Sequence, residues 1–430
     1  MKIITTTHPV FRKEMKRVGE RRVRLDGAVE KKVKLILKNV RERGDRALFE
    51  YTKKFDHFNL RTKNLKIGAE EIEKAVSHIQ KETVDSFTLA ASRIREFHQK
   101  EFDRSWILCQ GEGEVLGQMV RPLEKIGVYV PGGKASYPSS LLMNVIPAQV
   151  AGVKEIVVVS PTPGGEVNPY LLLAAKIAGV SCIYRIGGAQ AVGALAYGTR
   201  SIARVDKIVG PGNVYVATAK RLVFGEVDID MIAGPSEILI LSDGTGSPAF
   251  IAADLLSQAE HDEMALPLLI TTSAVFAREV AREVSCQLDE MKERKIAAVS
   301  IKKQGLIIVV KEMKEAIDLA NEIAPEHLEL AVERPWELLG AVQNAGAVFL
   351  GHYTPEAVGD YIAGPNHTLP TGGTARFFSP LSVNDFLKKT SFISFSREAL
   401  GRVGKKVIQC AEKEGLKAHA RAVEVRLKGI

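Results

Sequence analysis

The chain has 430 residues, of which 46% are hydrophobic and 26% are charged, a balance that excludes a disordered or fibrous protein. Its formal net charge is +8, but the basic residues are interspersed with acidic ones, so we interpret them as solvated helix surface. An RNA-binding protein remains an alternative that only the charge favours. We find neither an uninterrupted apolar run of ~18 residues nor the apolar segment of a secretory signal, and we expect a cytoplasmic location.

Cysteine spacing limits the kinds of metal site that the chain can hold. The four cysteines are far apart and form no Cys-x-x-Cys pair, which argues against a disulfide framework and against a thiolate zinc site. Any bound metal would therefore be held by nitrogen and oxygen donors. The cysteines are Cys109, Cys182, Cys286 and Cys410.

Hydrophobic periodicity divides the chain into four parts. Residues 1–121 are rich in charge, with apolar residues at helical spacing, and predict a helical N-terminal region. Over 122–235 short β-branched runs alternate with helix-length segments, which predicts a Rossmann-like parallel sheet, and the alternation restarts over 236–380. Residues 381–430 have too few apolar positions to close a core and predict a small helical tail. The predicted fold class is α/β, with two Rossmann-like units.

Glycine-rich turns follow three strands predicted in the first unit, where α/β proteins bind nucleotides. None is a complete Gly-x-Gly-x-x-Gly, so tight turns without a ligand explain them equally well. The glycines are Gly132 and Gly133, Gly187 and Gly188, and Gly210 and Gly212.

Candidate polar side chains concentrate in the second unit. Gln258 and His261 are three positions apart in a helix predicted over 249–263, so both would leave the same face, although a structural role is the alternative. Glu326 and His327 are adjacent, and an imidazole beside a carboxylate offers acid-base chemistry near neutral pH. The alternative for this pair is an exposed polar turn before a helix.

Two further pairs add to these candidates. Asp360 and His367 lie in a glycine-rich loop predicted to follow a strand, the usual position of sites in α/β proteins. Glu414 and His419 lie in the tail, where polar side chains are either solvated or donated to another body. These residues corroborate the candidates at 258–261 and 326–327.

At these positions the chain resembles the histidinol dehydrogenase family over nearly its whole length. Nine segments match in order, which is far more specific than any one of them. They are Arg43 to Asp45, Tyr129 to Ser140 (YVPGGKASYPSS), Ile186 to Gln190 (IGGAQ), Gly210 to Val216 (GPGNVYV), Ala233 to Ile238 (AGPSEI), Ser257 to Asp262 (SQAEHD), Ala324 to Glu329 (APEHLE), Gly364 to Gly372 (GPNHTLPTG) and Gly415 to Ala420 (GLKAHA).

The resemblance implies one Zn²⁺ per subunit and NAD as the oxidant. It implies that zinc orients the substrate, with Gln258, His261, Asp360 and His419 as ligands. It also implies that the substrate contacts these four residues together with Ser236, His327, His367 and Glu414. The cofactor contacts implied for NAD are Tyr129, Gln190 and Asn213.

The resemblance further implies a four-electron oxidation of L-histidinol to L-histidine through an aldehyde. His327 would take the hydroxyl proton and Glu326 would activate the water that hydrates the aldehyde. The family forms homodimers in which the tail, 381–430, reaches the partner's site. Two alternatives are a relative that oxidises another small alcohol, such as a sulfonated diol, and a zinc hydrolase, which would leave the glycine-rich unit unexplained.

Overall fold

A computed structural model describes residues 1–21, 27–132 and 137–428 of the chain. Gly133, in the first predicted glycine turn, lies outside these residues. No helix in the described ranges is long and apolar enough to cross a membrane. Strands and helices are numbered below in chain order.

The N-terminal region contains the predicted helices and, in addition, strands. Strand β1 runs parallel to a strand of the second unit and so extends that unit's sheet. Strand β1 has four residues, of which Ile4 alone is buried, so its hydrophobic pattern is too short to be recognised. The elements are β1 (Lys2–Thr5), α1 (Phe11–Gly19), α2 (Gly27–Arg43), α3 (Asp45–Phe55), α4 (Thr62–Leu65), α5 (Ala69–Val76), α6 (Lys81–His98), β2 (Trp106–Cys109) and β3 (Glu114–Pro122).

The first α/β unit is a five-stranded parallel sheet with helices on both faces. Its strand order is β6-β5-β4-β7-β8, so the order reverses between β4 and β7, as in a Rossmann fold. The chain forms β4 (Lys125–Tyr129), α7 (Pro138–Ala151), β5 (Glu155–Val159), α8 (Pro169–Ile177), β6 (Ile183–Tyr184), α9 (Gly188–Tyr197), β7 (Lys207–Val209), α10 (Val214–Val223) and β8 (Asp228–Ile229). Helices α6, α7 and α8 pack on one face and α2, α9 and α10 on the other.

The second unit is a six-stranded parallel sheet with the order β1-β11-β10-β9-β12-β13. It consists of β9 (Glu237–Ser242), α11 (Pro248–Ala259), β10 (Leu266–Thr271), α12 (Ala274–Glu290), α13 (Lys295–Lys303), β11 (Leu306–Val309), α14 (Met313–Ile323), β12 (His327–Ala331), α15 (Pro335–Leu339), β13 (Ala347–Leu350) and α16 (Glu356–Tyr361). Together the two units confirm the predicted fold class.

Strand β12 was not predicted, and the alternative of an exposed polar turn before a helix at 326–327 is wrong. All five residues of β12 are buried, because β12 lies between β9 and β13 in the sheet. Its charged residues, His327 and Glu329, concealed the strand pattern, since buried charge is rare unless it is paired. Helix α11 ends at Ala259 rather than at 263, so His261 lies in the following turn.

The tail comprises β14 (Leu387–Phe395), α17 (Arg397–Lys413) and α18 (Lys417–Leu427). Strand β14 pairs antiparallel with β3 along its length, and β2 pairs with the other edge of β3. The tail therefore shares a three-stranded sheet with residues that we assigned to the helical N-terminal region. Within α17 and α18 the buried residues are small, namely Ala399, Gly404, Ala411 and Ala420.

Candidate active site

Glu326 and His327 lie at the amino-terminal edge of the second sheet, where β12 begins. The Nδ1 of His327 is 3.0 Å from the carbonyl oxygen of Glu237, at the start of the neighbouring strand β9. A carbonyl can only accept, so Nδ1 carries a proton in either charge state, and in the neutral imidazole the lone pair lies on Nε2. Nε2 is buried and has no hydrogen-bond partner among the residues that the structure describes. Nε2 is therefore the position at which this imidazole gains or loses a proton.

Three carboxylates surround this imidazole. Nδ1 lies 3.8 Å from Oε2 of Glu326 and 3.5 Å from Oε1 of Glu356, and Nε2 lies 3.7 Å from Oδ1 of Asp360. Burial lowers the pKa of His327, but the negative charges of Glu356 and Glu326 and the nearby Asp360 carboxylate outweigh it and hold the pKa well above its usual value. Three carboxyl groups and one imidazole are thus crowded into one buried site.

Glu326 is buried, and its Oε2 accepts a hydrogen bond from the backbone N–H of Glu237 at 2.8 Å. Burial raises the pKa of Glu326 to about 8, and the charges of Glu237 and Glu356 act in the same direction. A carboxyl group with a pKa near neutrality exchanges protons readily at working pH. This property suits a general base or acid.

Glu237 connects this pair to the N-terminal region. Its carboxylate receives two hydrogen bonds of 2.8 Å from the guanidinium of Arg21, and Arg21 also donates to the carbonyl oxygen of Ile323 at 2.8 Å. Both side chains are largely buried, so the charge of Glu237 is paired rather than solvated. Arg21 thus anchors the segment that leads into β12. Glu326 ends this segment, and His327 is the first residue of β12.

Gln258 is fully buried at the end of α11 and faces Glu356. With its amide nitrogen turned toward Glu356, Gln258 donates to Oε1 at 2.7 Å and to Oε2 at 2.9 Å. The amide oxygen then points away from Glu356 and is free to bind a cation. Burial raises the pKa of Glu356 to about 7, while the charge of His327 lowers it.

Asp360 and His367 are close together, although Asp360 lies in helix α16 rather than in the loop that we predicted. The Nδ1 of His367 is 3.0 Å from the carbonyl oxygen of Asp360, and its Nε2 is 3.3 Å from Oγ of Ser140 in the first unit. Burial raises the pKa of Asp360, but His327, His367 and His261 lower it more strongly. His367 therefore joins the two units at the site.

His261 and Ser236 lie at the rim of the same region. His261 is exposed in the turn after α11, where its charge acts on Asp360, and its backbone N–H donates to the carbonyl oxygen of Gln258 at 3.3 Å. Ser236 is partly exposed and directly precedes β9. The structure thus brings Ser236, Gln258 and His261 to the edge of the sheet that carries His327.

Glu414 and His419 are exposed, in the tail of the chain. Among the residues that the structure describes, one cluster of at least three His, Cys, Asp or Glu side chains has ligand atoms within 4.8 Å of one another, and it consists of His327, Glu356 and Asp360. Asp360 is the member that this cluster shares with the predicted zinc set. Neither His261 nor His419 of the same chain belongs to this cluster.

The predicted cofactor residues lie at the carboxyl ends of strands in the first sheet. Tyr129 ends β4, and its hydroxyl accepts a hydrogen bond of 3.0 Å from the backbone N–H of Gly188. Gln190 is buried in α9, and its Oε1 has no partner among the described residues. Asn213 caps α10, accepting from the N–H groups of Tyr215 and Val216. Tyr129, Gln190 and Asn213 thus share one edge of the sheet.

Four residues of this site were missed by sequence reasoning: Arg21, Ser140, Glu237 and Glu356. Ser140 and Glu237 lie inside segments that we singled out and Glu356 lies four residues before Asp360, but nothing in their spacing indicated contact with His327 or His367. Arg21 is more than 200 positions from its partner Glu237. Such long-range pairs become visible only in the folded chain.

Two Rossmann-like units with a buried imidazole and carboxylates beside their junction define an α/β enzyme. The family model for Histidinol dehydrogenase matches residues 20–427. The chain belongs to the histidinol dehydrogenase family, and this confirms that it is a dehydrogenase, as the sequence predicted.

Individual relatives agree with this assignment. The histidinol dehydrogenase of Syntrophotalea carbinolica is 59% identical over 400 residues, which cover 93% of each chain. That of Aquifex aeolicus is 54% identical over 402 residues, which cover 94% of this chain and 93% of the relative. The crystal structure of histidinol dehydrogenase from Elizabethkingia anophelis has a TM-score of 0.93 at 38% identity, covering 100% of this chain and 98% of that one.

Proposed function

We propose that this protein oxidises L-histidinol to L-histidine in two NAD-dependent steps at a zinc site. The observation that carries the proposal is the buried, unpaired Nε2 of His327, whose protonated Nδ1 is fixed by the carbonyl of Glu237. Such a nitrogen is suited to remove a hydroxyl proton while hydride leaves the adjacent carbon. Glu326, with a pKa of about 8, supplies a second group that can exchange a proton.

The donors around Asp360 suit Zn²⁺. Gln258 presents an amide oxygen, Asp360 a carboxylate and His261 an imidazole, and such oxygen and nitrogen donors are ones that zinc accepts. The three carboxylates around His327 also call for a compensating cation. We propose Gln258, His261 and Asp360 of one chain and His419 of a second as the ligands. When bound, zinc would orient the substrate and polarise its oxygen.

The first unit suits a dinucleotide. Gly188 begins α9, Gln190 lies in its first turn and Asn213 caps α10; both helices start at the carboxyl edge of the sheet, where a helix N-terminus favours phosphate. The buried Oε1 of Gln190 has no hydrogen-bond partner among the described residues, and a ligand would supply one. We propose Tyr129, Gln190 and Asn213 as contacts of NAD, which would accept one hydride in each oxidation.

His327 and Glu326 of the second unit would then each carry out different proton transfers. His327 would take the proton of the substrate hydroxyl at Nε2, giving histidinaldehyde. Glu326 would take a proton from water as the water adds to the aldehyde, giving the hydrate. His327 would assist again when the hydrate is oxidised to the carboxylate. We propose that Ser236, His367 and Glu414, together with the metal ligands, hold the substrate for both steps.

We further propose a homodimer in which the tail completes the partner's site. Glu414 and His419 are exposed and lie in a tail that buries only small residues of its two helices. The sheet that joins this tail to the body exposes Trp106, Ile107 and Ile393. Large exposed apolar side chains on one element are typical of an interface. A two-fold dimer would exchange the tails reciprocally.

The test is oxidation of histidinol by the zinc-loaded protein, followed by NADH absorbance and by chromatography of histidine. Activity should be lost in His327→Asn and retained in His78→Asn, which changes an exposed histidine after α5. A sulfonated diol should give no NADH. If the diol is oxidised and histidinol is not, the substrate belongs to the alternative, and NAD-independent hydrolysis would refute dehydrogenase chemistry.

A further inference from the structure

Asp56 is a buried carboxyl group that the proposed reaction does not use. It follows α3, in the N-terminal region, and 8% of its surface is exposed. Its side chain accepts from the backbone N–H of Thr162, and its carbonyl oxygen accepts from the N–H of Gly164 at 2.8 Å. These contacts hold Asp56 against the segment that follows β5, the second strand of the Rossmann-like sheet.

Polar atoms without partners are concentrated at this point. The Oδ2 of Asp56, the Oγ of Ser160 and the Oγ1 of Thr162 are all buried, and none has a hydrogen-bond partner within the described ranges. Ser160 and Thr162 are 2% and 1% exposed. Unsatisfied buried polar atoms are costly, and three in one place indicate a missing ligand with hydroxyl groups or water.

The segment 160–162 borders the proposed cofactor site. A Cβ atom added to Gly132, after β4, would lie 2.5 Å from Oγ of Ser160, and one added to Gly187 would lie 2.3 Å from Cβ of Pro161. Gly132 and Gly187 therefore pack directly against this segment, with no space for a side chain between them. The charge of Asp56 also contributes to the raised pKa of Tyr129, the proposed cofactor contact at the end of β4.

In Rossmann folds an acidic residue after the second strand accepts hydrogen bonds from the adenosine ribose. Here Ser160, Pro161 and Thr162 follow that strand, and none of them is acidic. Asp56 brings a carboxylate to the same place from a different part of the chain.

We infer that Asp56 binds the ribose hydroxyls of the adenosine half of NAD and rejects the 2′-phosphate of NADP. A carboxylate oxygen would accept a hydrogen bond from the 2′-hydroxyl, whereas a phosphate dianion would be repelled. The hydroxyls of Ser160 and Thr162 would gain partners at the same time. This inference rests on the proposed use of NAD and adds to it the residue that selects the dinucleotide.

The test is titration calorimetry of the full-length, zinc-loaded protein with no substrate present. The ligands are NAD, NADP and 2′-deoxy-NAD, the analogue of NAD that lacks the 2′-hydroxyl of the adenosine ribose. NAD should bind about 10- to 100-fold more tightly than either analogue, which is the range for one hydrogen bond to a charged group. If the wild-type protein binds 2′-deoxy-NAD as tightly as NAD, the inference is overturned without recourse to any variant. If it binds no dinucleotide, the proposed NAD function fails instead.

Two variants test whether Asp56 is the residue that selects NAD over NADP. In Asp56→Asn the preference for NAD over NADP should fall by about tenfold or more, because the charge is gone while the shape is kept. The matched control is Asp45→Asn at the other end of α3, where Asp45 accepts a hydrogen bond from the Ser201 hydroxyl; this variant should keep the wild-type preference. A folded Asp56→Asn protein with undiminished preference would show that Asp56 only fixes the Thr162 backbone.

Discussion

With its amide nitrogen turned toward Glu356, Gln258 donates to the two carboxylate oxygens of Glu356 at 2.7 and 2.9 Å. Glu356 is itself fixed, because its backbone N–H donates to Oε1 of Glu329 at 2.9 Å. Burial raises the pKa of Glu329 well above its usual value, as does the neighbouring carboxyl of Asp254. A buried set of acids therefore packs behind Gln258 and fixes its amide nitrogen, which leaves the amide oxygen pointing away from Glu356.

This arrangement predicts that Glu356 governs metal affinity without being a ligand. Glu356→Ala should weaken zinc binding by roughly 10- to 100-fold, the range for loss of a group that orients a ligand. Competition with a chromogenic chelator measures this directly. The control is Glu260→Ala, which removes an exposed acid at the end of α11. Unchanged zinc affinity in Glu356→Ala would show that Gln258 does not need this support.

The raised pKa of Glu326 predicts a pH-dependent stability. The folded-state pKa of about 8 exceeds the usual value of 4.5, so the protonated form stabilises the fold fully below pH ~4.5, and this contribution is lost as pH rises through 8. Glu326→Gln should therefore unfold at a higher temperature than wild type at pH 9, and the difference should shrink toward pH 5. Calorimetric melting of metal-free protein tests this. A difference independent of pH would contradict a raised pKa.

The roles of the two adjacent residues predict different losses in the two oxidations. Glu326→Gln should impair oxidation of histidinaldehyde more than oxidation of histidinol, because Glu326 is assigned to hydration. His327→Asn should impair both steps, each by roughly 10² to 10⁴ in kcat. Single-turnover measurements with each substrate separate the steps. Equal losses for both substrates in Glu326→Gln would refute the division.

The shared site predicts complementation between two inactive chains. Mixed dimers of His419→Ala and His261→Ala hold one site with both lesions and one intact site, so random mixing should restore roughly a quarter of wild-type activity. The control mixes His261→Ala with Asp360→Ala, which damages both sites of every mixed dimer and should restore none. If dimers exchange and activity never returns in the first mixture, the tail serves its own chain.

The periodic parts of the fold could be predicted from the sequence, and the parts set by long-range pairing could not. The alternation over 122–235 and 236–380 predicted both sheets because each strand repeats a simple apolar pattern. Strand β1 was missed because four residues carry too little pattern, and β12 because His327 and Glu329 are charged. His327 is buried beside Glu356, and Glu329 is buried beside Asp254, and no local window contains these partners.

The same distinction between local patterns and long-range contacts applies to the active site. Motifs identified the candidates, and the structure gathers Ser236, Gln258, His261, Glu326, His327, Asp360 and His367 near the amino-terminal edge of the second sheet. We had expected Asp360 and His367 beyond the carboxyl ends of strands, the usual position. The difference arises because α11 and α16 run back across the sheet and deliver Gln258 and Asp360 to the start of β12.

The most direct test of the central proposal is the yield of NADH per histidinol consumed. A site in which His327 serves two oxidations and Glu326 hydrates the intermediate should release two NADH for each histidinol, with histidine as the product. Limiting histidinol with excess NAD, followed to completion by absorbance and chromatography, measures this ratio. A ratio of two supports the four-electron reaction, whereas a ratio of one with accumulation of the aldehyde would contradict it.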